Sequence, residues 1–449
     1  MRFRFFIVAA IGWSVAALHA CGQAVIPAKG NPPPIIFVHG NGDDSTRWVP
    51  TMWLFESNGY PADRLFAIRF HNPVARTDDT REEPARSSTN EEELELGRFV
   101  DSVMAKTRAQ KVVLVGSSRG GLTIRNYVQN GEGRQTVLAE ILCGTPNHGV
   151  NATDANRNGE FNGKGTFLSA LNTPGADGNE TTPGVATLTL RSDALDKYAQ
   201  PTAIAFGHPE QSSGGSFESP ALKGAKNIVL KGLDHRELAF SDRAFAEMYR
   251  FLFHREPRTL AATSEKLPEL SGLITGFAGQ APTNDPLEGV HVRVTESLAT
   301  NGTAPLYDAV TNSSGTWGPV RVRPDVSYSF DLERDGRHVT YFLPPLHRST
   351  TLLNFRFVPP SAIPAGADVN KATLLITRPE GYFSRDRDPV QIDGTPAPEE
   401  PTGLPLRDSF TVSLQGGSSP VEVVLRGEKV QAQPSLDPAH RLSIVEFLR

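Results

Sequence analysis

Cysteine is scarce in this chain, with two in 449 residues, Cys21 and Cys143. Cys21 falls in an expected leader, so no disulfide can be drawn within the mature chain, which must be held by its packed cores. Cys143 follows an apolar strand and reads as a small buried apolar residue. Clustered positive charge is also missing: the net charge is −5 and the arginines are scattered, which excludes nucleic acid as a partner. Long apolar runs are lacking too. Beyond the amino terminus, no segment approaches the roughly 18 apolar residues that a membrane span requires. No internal repeat or coiled-coil heptad is evident.

The one apolar run of note starts the chain. Met1-Arg2-Phe3-Arg4 precedes an apolar stretch from Phe5 to Leu18, and small residues follow. This is the pattern of an export signal, read here as residues 1–24. Two processing routes compete. Leu18-His19-Ala20-Cys21 resembles a lipoprotein box, which would leave Cys21 acylated, whereas cleavage after Ala24 would release a free protein; the second is the expectation. Either way the chain is exported, to the periplasm or the medium, and meets a membrane only through lipid.

A length of 449 residues exceeds what one core usually organises. The pattern changes along the chain. Residues 25–256 alternate apolar strands with helical stretches, as in an α/β domain with a mostly parallel sheet flanked by helices. Residues 257–268 are polar and without period, a linker. Residues 269–357 carry short strands alternating in steps of two, as in a β-sandwich. Residues 358–449 form a last β-rich region, with strands expected at Ala372 to Thr377, Ser409 to Leu414, Val421 to Leu425 and Leu442 to Leu448.

The chemistry is concentrated in the first domain. Lys111-Val112-Val113-Leu114-Val115 runs into Gly116-Ser117-Ser118-Arg119-Gly120 and then into a helix former. Gly-x-Ser-x-Gly between strand and helix is a nucleophile elbow, because a serine on so sharp a turn has its hydroxyl pushed clear of the backbone. Ser118 is the candidate nucleophile. An earlier strand, Ile35 to Val38, ends in His39-Gly40-Asn41-Gly42-Asp43. The loop after such a strand supplies one oxyanion-hole amide and the residue after the nucleophile supplies the other, which singles out Asn41 and Arg119.

A base must follow in the chain order serine, acid, histidine. His235 fits, directly after the strand Asn227 to Leu230 and before a helix expected from Ser241 to Phe253. His148 is the rival, but only Glu132 and Glu140 would lie between it and the serine, so it reads as a cleft-rim residue. The acid falls in the loop after the strand Val185 to Leu190, where Asp196 is preferred because Pro201 turns the chain away shortly after it. Asp193 is the alternative. Since imidazole must be neutral to act as a base, activity should fall in acid.

Together these motifs resemble the α/β-hydrolase superfamily, and within it the secreted bacterial lipases and esterases. The likeness rests on Phe-Val-His-Gly-Asn-Gly-Asp, Gly-Ser-Ser-Arg-Gly-Gly, Gly-Thr-Pro-Asn-His-Gly, Asp-Lys-Tyr-Ala-Gln-Pro and Leu-Asp-His, and covers about Pro32 to Phe253. The resemblance implies a lipid or other acyl-ester substrate, a covalent acyl-enzyme, and no cofactor or metal. Ser117 departs from it, standing where many lipases carry histidine. Some extracellular polyhydroxyalkanoate depolymerases share the His-Gly-Asn-Gly-Asp opening and supply an alternative. A non-catalytic surface-binding or adhesion protein on the same scaffold is the alternative of another class. Residues 269–357 resemble Ig-like modules related to carboxypeptidase regulatory domains. Certain lipases carry C-terminal β regions that help engage long acyl chains; a spacer or stability module is the equal alternative.

Three further segments bear on the site. Asp154 to Gly159 resembles the start of a calcium loop, but Gly165 stands where a bidentate glutamate is needed, so it reads as structural. The insertion from Asn151 to Pro183 carries Phe161, Phe167, Leu168 and Leu171 and is expected to form a cleft wall or lid. A charged insertion, His71 to Asn90, is expected to be solvated and to end with Asn90 capping a helix from Glu91 to Lys106.

Overall fold

The structure, a computed structural model, describes residues 24–26, 31–297, 304–359, 371–414, 419–436 and 441–448. Apart from Ala24, the expected leader lies outside them, Cys21 included. Among the described residues no helix is long and apolar enough to cross a membrane.

Six strands of the N-terminal domain make one all-parallel sheet: β1 (Ile35–Val38), β2 (Leu65–Ala67), β3 (Val112–Ser117), β4 (Val137–Cys143), β5 (Ala186–Arg191) and β6 (Lys226–Val229), in the order β6-β5-β4-β3-β1-β2. The central strands are buried on both faces because helices cover both. Ile35, Phe37, Val113 and Val115 point to one side, against α1 (Val49–Ser57) and α5 (Asp242–Phe253). Their neighbours Ile36, Val38, Val112 and Leu114 point to the other, against α2 (Thr89–Thr107) and α3 (Arg119–Asn130).

Helix ends follow local chemistry. Ser241 caps α5 by accepting from the Ala244 amide. For α2 the expected cap, Asn90, is wrong by two residues. Ser88 accepts from the Glu91 amide and Glu91 reaches back to Ser88, a reciprocal pair that Asn90 cannot make, so the helix starts at Thr89.

The insertion 151–183 folds over α3. Leu168 and Leu171, on α4 (Thr166–Leu171), are buried on Leu122, with Phe161 and Phe167 packed beside them. The charged insertion is more structured than its composition suggests, since Val74–Ala75 and Arg86–Ser87 pair in parallel.

The rest of the chain is a β unit. β7 (Glu269–Ala278) pairs with β8 (Ala281–Pro286) and with β11 (Thr316–Arg321). Beside them β9 (His291–Glu296), β10 (Tyr307–Val310), β12 (Tyr328–Arg334) and β13 (Arg337–Leu343) begin a seven-stranded sheet. β15 (Ala372–Thr377), β18 (Ser409–Leu414) and β21 (Arg441–Glu446) complete it. β14 (Phe355–Arg356) joins β7, and β16 (Gln391–Ile392), β17 (Thr395–Pro396), β19 (Val421–Leu425) and β20 (Glu428–Ala432) make a further sheet.

Strands on either side of residue 357 thus share one sheet. β13 and β21 run parallel with Val339 opposite Leu442 and Tyr341 opposite Ile444. Successive residues of this sheet feed different cores: Tyr341, Leu375 and Ile444 pack with Trp317 and Phe355, whereas Phe342, Ile376 and Val445 pack with Phe383 and Phe410.

The β unit is closely docked. α1 is apolar nearly all round because it is buried twice, with Phe55 in the N-terminal core and Val49 and Trp53 in the β-unit core. Trp53 Nε1 donates to the Ser349 carbonyl at 3.1 Å. The stretch expected to be a linker is tied down as well, with the Arg258 and Thr259 amides both donating to Asn58 Oδ1.

Candidate active site

The elbow is real in its backbone. Ser118 follows β3 directly, caps α3 and sits at φ 53°, ψ −119°, a conformation that costs a non-glycine residue of order 1–3 kcal/mol and persists only when its surroundings enforce it. The flanking glycines enforce it. A methyl at Gly116 would stand 2.7 Å from the Gly121 nitrogen, and one at Gly120 would stand 2.5 Å from the carbonyl oxygens of Val38 and His39. Helix and strands can therefore close only around glycine. Ser117 and Arg119 are buried while Ser118 is partly exposed, so the turn presents one side chain outward.

The loop after β1 reaches the same corner. A methyl on Gly40 would lie 3.2 Å from Ser118 Cβ. His39 fixes the loop: its Nδ1 faces the Gly40 carbonyl at 2.9 Å and its Nε2 faces the Phe70 amide at 3.2 Å. Accepting from that amide requires a neutral ring, and burial lowers the His39 pKa accordingly, against the Gly40 carbonyl. The Asn41 side chain accepts from the Ala75 amide at 2.7 Å, and the Gly42 amide donates to Pro73 O at 2.9 Å. The charged insertion therefore braces this loop. The Arg119 amide lies in the first turn of α3, where backbone N–H groups have no helical acceptor.

His235 arrives from behind β4. The Ser118 amide donates to Cys143 O at 2.8 Å, and the next residue, Gly144 at φ 57°, is the floor of the imidazole: a methyl there would be 3.2 Å from His235 Nδ1. Nδ1 lies 3.0 Å from Asp196 Oδ2 and 2.9 Å from Oδ1, with both side chains buried. Tyr198 packs edge-on against the imidazole with centroids 4.7 Å apart, and its amide donates to Asp196 Oδ1 at 2.8 Å. Of the two aspartates it is Asp196 that meets the histidine. Asp193 accepts from the Gly232 and Ala194 amides and holds a turn, which keeps its carboxyl below the usual range despite partial burial. The histidine–aspartate hydrogen bond joins two of the three candidates, and the Ser118 amide on Cys143 O ties the third to the residue before Gly144.

His148 lies apart from this pair, its Nε2 2.9 Å from Glu180 Oε1 and its Nδ1 3.0 Å from Ser219 O. In the loop resembling a calcium site, Asp154 is paired with Arg157 and Lys164, and Glu160 with Arg119. Cys143 is buried and free, and burial pushes its thiol well up.

Two features carry no local sequence signal. The Arg119 side chain, below the surface, binds Glu160 through Nε and Nη2 and Glu92 through Nη1. Burial raises Glu92 to about 7 against the pull of Arg119. The second is the charge around the base: Asp234 and Glu237 are buried and salt-bridged to Arg378, Arg387 and Arg426 of the β unit. Behind this loop, between the two units, lies a cavity of about 580 Å³ lined by Trp53, Glu237, Phe240, Arg378 and Arg426 among others; Ser118 does not line it.

Comparison with known proteins follows the same lines. Residues 32–153 match the family model for lipase (class 2). Among solved structures, Legionella pneumophila phospholipase PlaB in complex with thio-NAD is similar over 92% of this chain and 93% of its own, at 10% identity and a TM-score of 0.35. Bacillus licheniformis lipase BlEst2 in mature form is similar over 47% of this chain and 87% of its own, at 19% identity and TM-score 0.32. Aspergillus fumigatus lipase B is similar over 57% and 65%, at 17% identity and TM-score 0.36. The parallel sheet with helices on both faces is the α/β-hydrolase arrangement, and the segment of it that is similar to the lipase (class 2) family spans β1, the elbow and α3.

Proposed function

We propose that the protein is a serine carboxylic-ester hydrolase acting on lipid or other acyl esters. The observation that carries this reading is the strained Ser118 on its elbow, its amide on Cys143 O one residue before the Gly144 that packs against the His235 imidazole, whose Nδ1 is held by Asp196. With Nδ1–H donating to Asp196, Nε2 is left as the basic nitrogen. His235 takes the Ser118 proton as Oγ bonds to the ester carbonyl carbon, and the carbonyl oxygen becomes an oxyanion received by the amides of Asn41 and Arg119. Each such donor contributes about 10²–10³ in rate, because it faces charge present only in the transition state. The imidazolium then protonates the leaving alkoxide as the C–O bond breaks, giving alcohol and acyl-Ser118. Water, losing its proton to the same histidine, releases the carboxylic acid and restores the serine.

Leu168 and Leu171 anchor the insertion on α3, which leaves the partly exposed Phe161 and Phe167 as its apolar side chains suited to an acyl chain. The leader motif in residues 1–24 supports export, either free or lipid-anchored.

The test is turnover of a short p-nitrophenyl ester by the full mature chain, with a serine-directed phosphonate. Turnover, stoichiometric labelling at Ser118 and loss of both in Ser118→Ala support the reading. A folded protein that neither turns over the ester nor is labelled removes it. Comparing short esters, a triglyceride emulsion and polyhydroxybutyrate film then defines the substrate.

A further inference from the structure

Every loop that brings chemistry to Ser118 is held from outside the hydrolase domain. On the histidine loop, Asp234 Oδ2 accepts from the Tyr382 amide at 2.8 Å and from Arg387 Nη2 at 3.0 Å. Glu237 Oε2 accepts from Arg387 Nη1 at 2.9 Å, and Oε1 accepts from Arg378 Nη2 and Arg426 Nη1, each at 2.6 Å. Arg236 adds Tyr382 Oη at 3.2 Å and the Pro379 carbonyl. His235 is thus the one residue of the run 234–237 whose polar side chain binds within the hydrolase domain, to Asp196, rather than to the β unit.

The acid loop is gripped next to Asp196. Lys197 Nζ donates to Leu406 O at 2.7 Å and stands 3.9 Å over the Tyr382 ring. The oxyanion loop is gripped just past Asn41: Arg356 donates to the Gly42 and Asp43 carbonyls at 2.8 and 3.2 Å, and Asn284 donates to Asp43 O at 3.1 Å. The elbow, by contrast, is fixed within its own domain by the Ser118 amide on Cys143 O.

We propose that the C-terminal β unit is a positioning element of the active site, and that Arg387, which bridges Asp234 and Glu237, is the residue through which it sets the histidine over the serine. The proposal rests on the esterase reading above for its catalytic consequence. Asp234 and Glu237 are fully buried, and two carboxylates three residues apart would repel each other there. A guanidinium donating to both at once turns that repulsion into a rigid brace, with geometry that a flexible ammonium cannot reproduce. A spacer or an independent binding module would have no reason to place its buried charges on the loops of the triad.

The experiment compares Arg387→Gln, Arg387→Lys and Arg348→Gln in the full mature chain. Arg348 is the control: it pairs with Glu56 across the same interface, at 2.8 Å, away from the triad loops. Arg387→Gln should lower kcat by about 10–100-fold with KM within about threefold, as expected when a catalytic group is misplaced by about an ångström. Arg387→Lys should restore part of that loss, and Arg348→Gln should keep kcat whatever it does to thermal stability. The low-field proton resonance of His235 Nδ1–H against Asp196 should shift or vanish in Arg387→Gln alone. If Arg387→Gln does not fold by circular dichroism, Arg426→Gln, at the outer edge of the same cluster, should show the same direction with smaller size. Unchanged kcat and an unmoved resonance, or equal losses in Arg387→Gln and Arg348→Gln, would overturn the proposal. Failure of the wild-type chain to label with phosphonate would instead remove the esterase reading, while the resonance would still decide whether Arg387 holds the histidine.

Discussion

The guanidinium of Arg119 is locked to the carboxylate of Glu160, with Nε 2.9 Å and Nη2 2.8 Å from the same Oε2. Glu160 belongs to the insertion over α3, and Arg119 is the residue whose amide is proposed to meet the oxyanion. The third member, Glu92, reaches Arg119 Nη1 from α2 and also accepts from Thr123 Oγ1 at 2.6 Å. One side chain therefore fastens the elbow to two neighbouring elements. Removing the cation while leaving both carboxylates buried should be severe: Arg119→Met is expected to cost about 3–5 kcal/mol in urea unfolding. Arg119→Lys, which keeps the charge but not the fork, should lose less stability and still lose turnover.

The pairing of Asp196 with His235 separates the two aspartates of one loop. Asp196→Asn should keep the fold and lower kcat by about 10⁴, the loss expected when the imidazole is held in the wrong tautomer. Asp193→Asn keeps an Oδ1 acceptor for the Gly232 amide but removes the charge that strengthens that bond, so kcat should stay within a few-fold while the melting temperature falls modestly. Steady-state kinetics on a p-nitrophenyl ester decide the matter, and the reverse ranking would reassign the acid.

What can be read from the sequence in this fold is what is local. A strand apolar on both faces followed by a glycine-bounded turn marks β1 and β3, and with them Asn41, Ser118 and Arg119, because the signal and its cause lie within ten residues. Ser88 rather than Asn90 caps α2 for a reason present in the sequence, the Glu91 three places on. Long-range pairing has no such mark. Arg387 meets Glu237 across 150 positions, and Arg356 meets Gly42 across 314. No periodicity links either pair. The same holds for β13 and β21, whose parallel pairing joins regions that composition alone divides at residue 357. Charge around His235 is visible as Asp-His-Arg-Glu, but only folding shows that three of the four face the β unit.

The elbow glycines give a sharper prediction than any triad residue. A methyl at Gly120 would meet two backbone oxygens at 2.5 Å, and backbone cannot yield as a flexible side chain can. Gly120→Ala should therefore destabilise by more than about 3 kcal/mol or fail to accumulate as folded protein. Gly232→Ala is the contrasting case. That glycine has φ 77° and open space around its would-be methyl, so its cost is backbone strain alone, about 1 kcal/mol.

The interface also holds a carboxyl that burial disposes to keep its proton. Arg47 Nη1 stands 3.5 Å from Glu380 and 3.8 Å from Glu446, one cation facing two buried carboxylates. Neither Glu380 oxygen has a hydrogen-bond partner among the described residues. Burial raises Glu380 to about 8, against the pull of Arg47 and with the push of Glu446. A carboxyl whose folded pKa stands above its unfolded value of about 4.5 gives stability that is full below pH ~4.5 and is lost as pH rises through about 8. Glu380→Gln, permanently neutral and of the same shape, should remove that loss. Its melting temperature should exceed the wild type's by several degrees at pH 8.5 and by little at pH 5, measured by calorimetry in matched buffers. An equal gain at both values would mean that Glu380 is ionised throughout, with Arg47 sufficient for both acids.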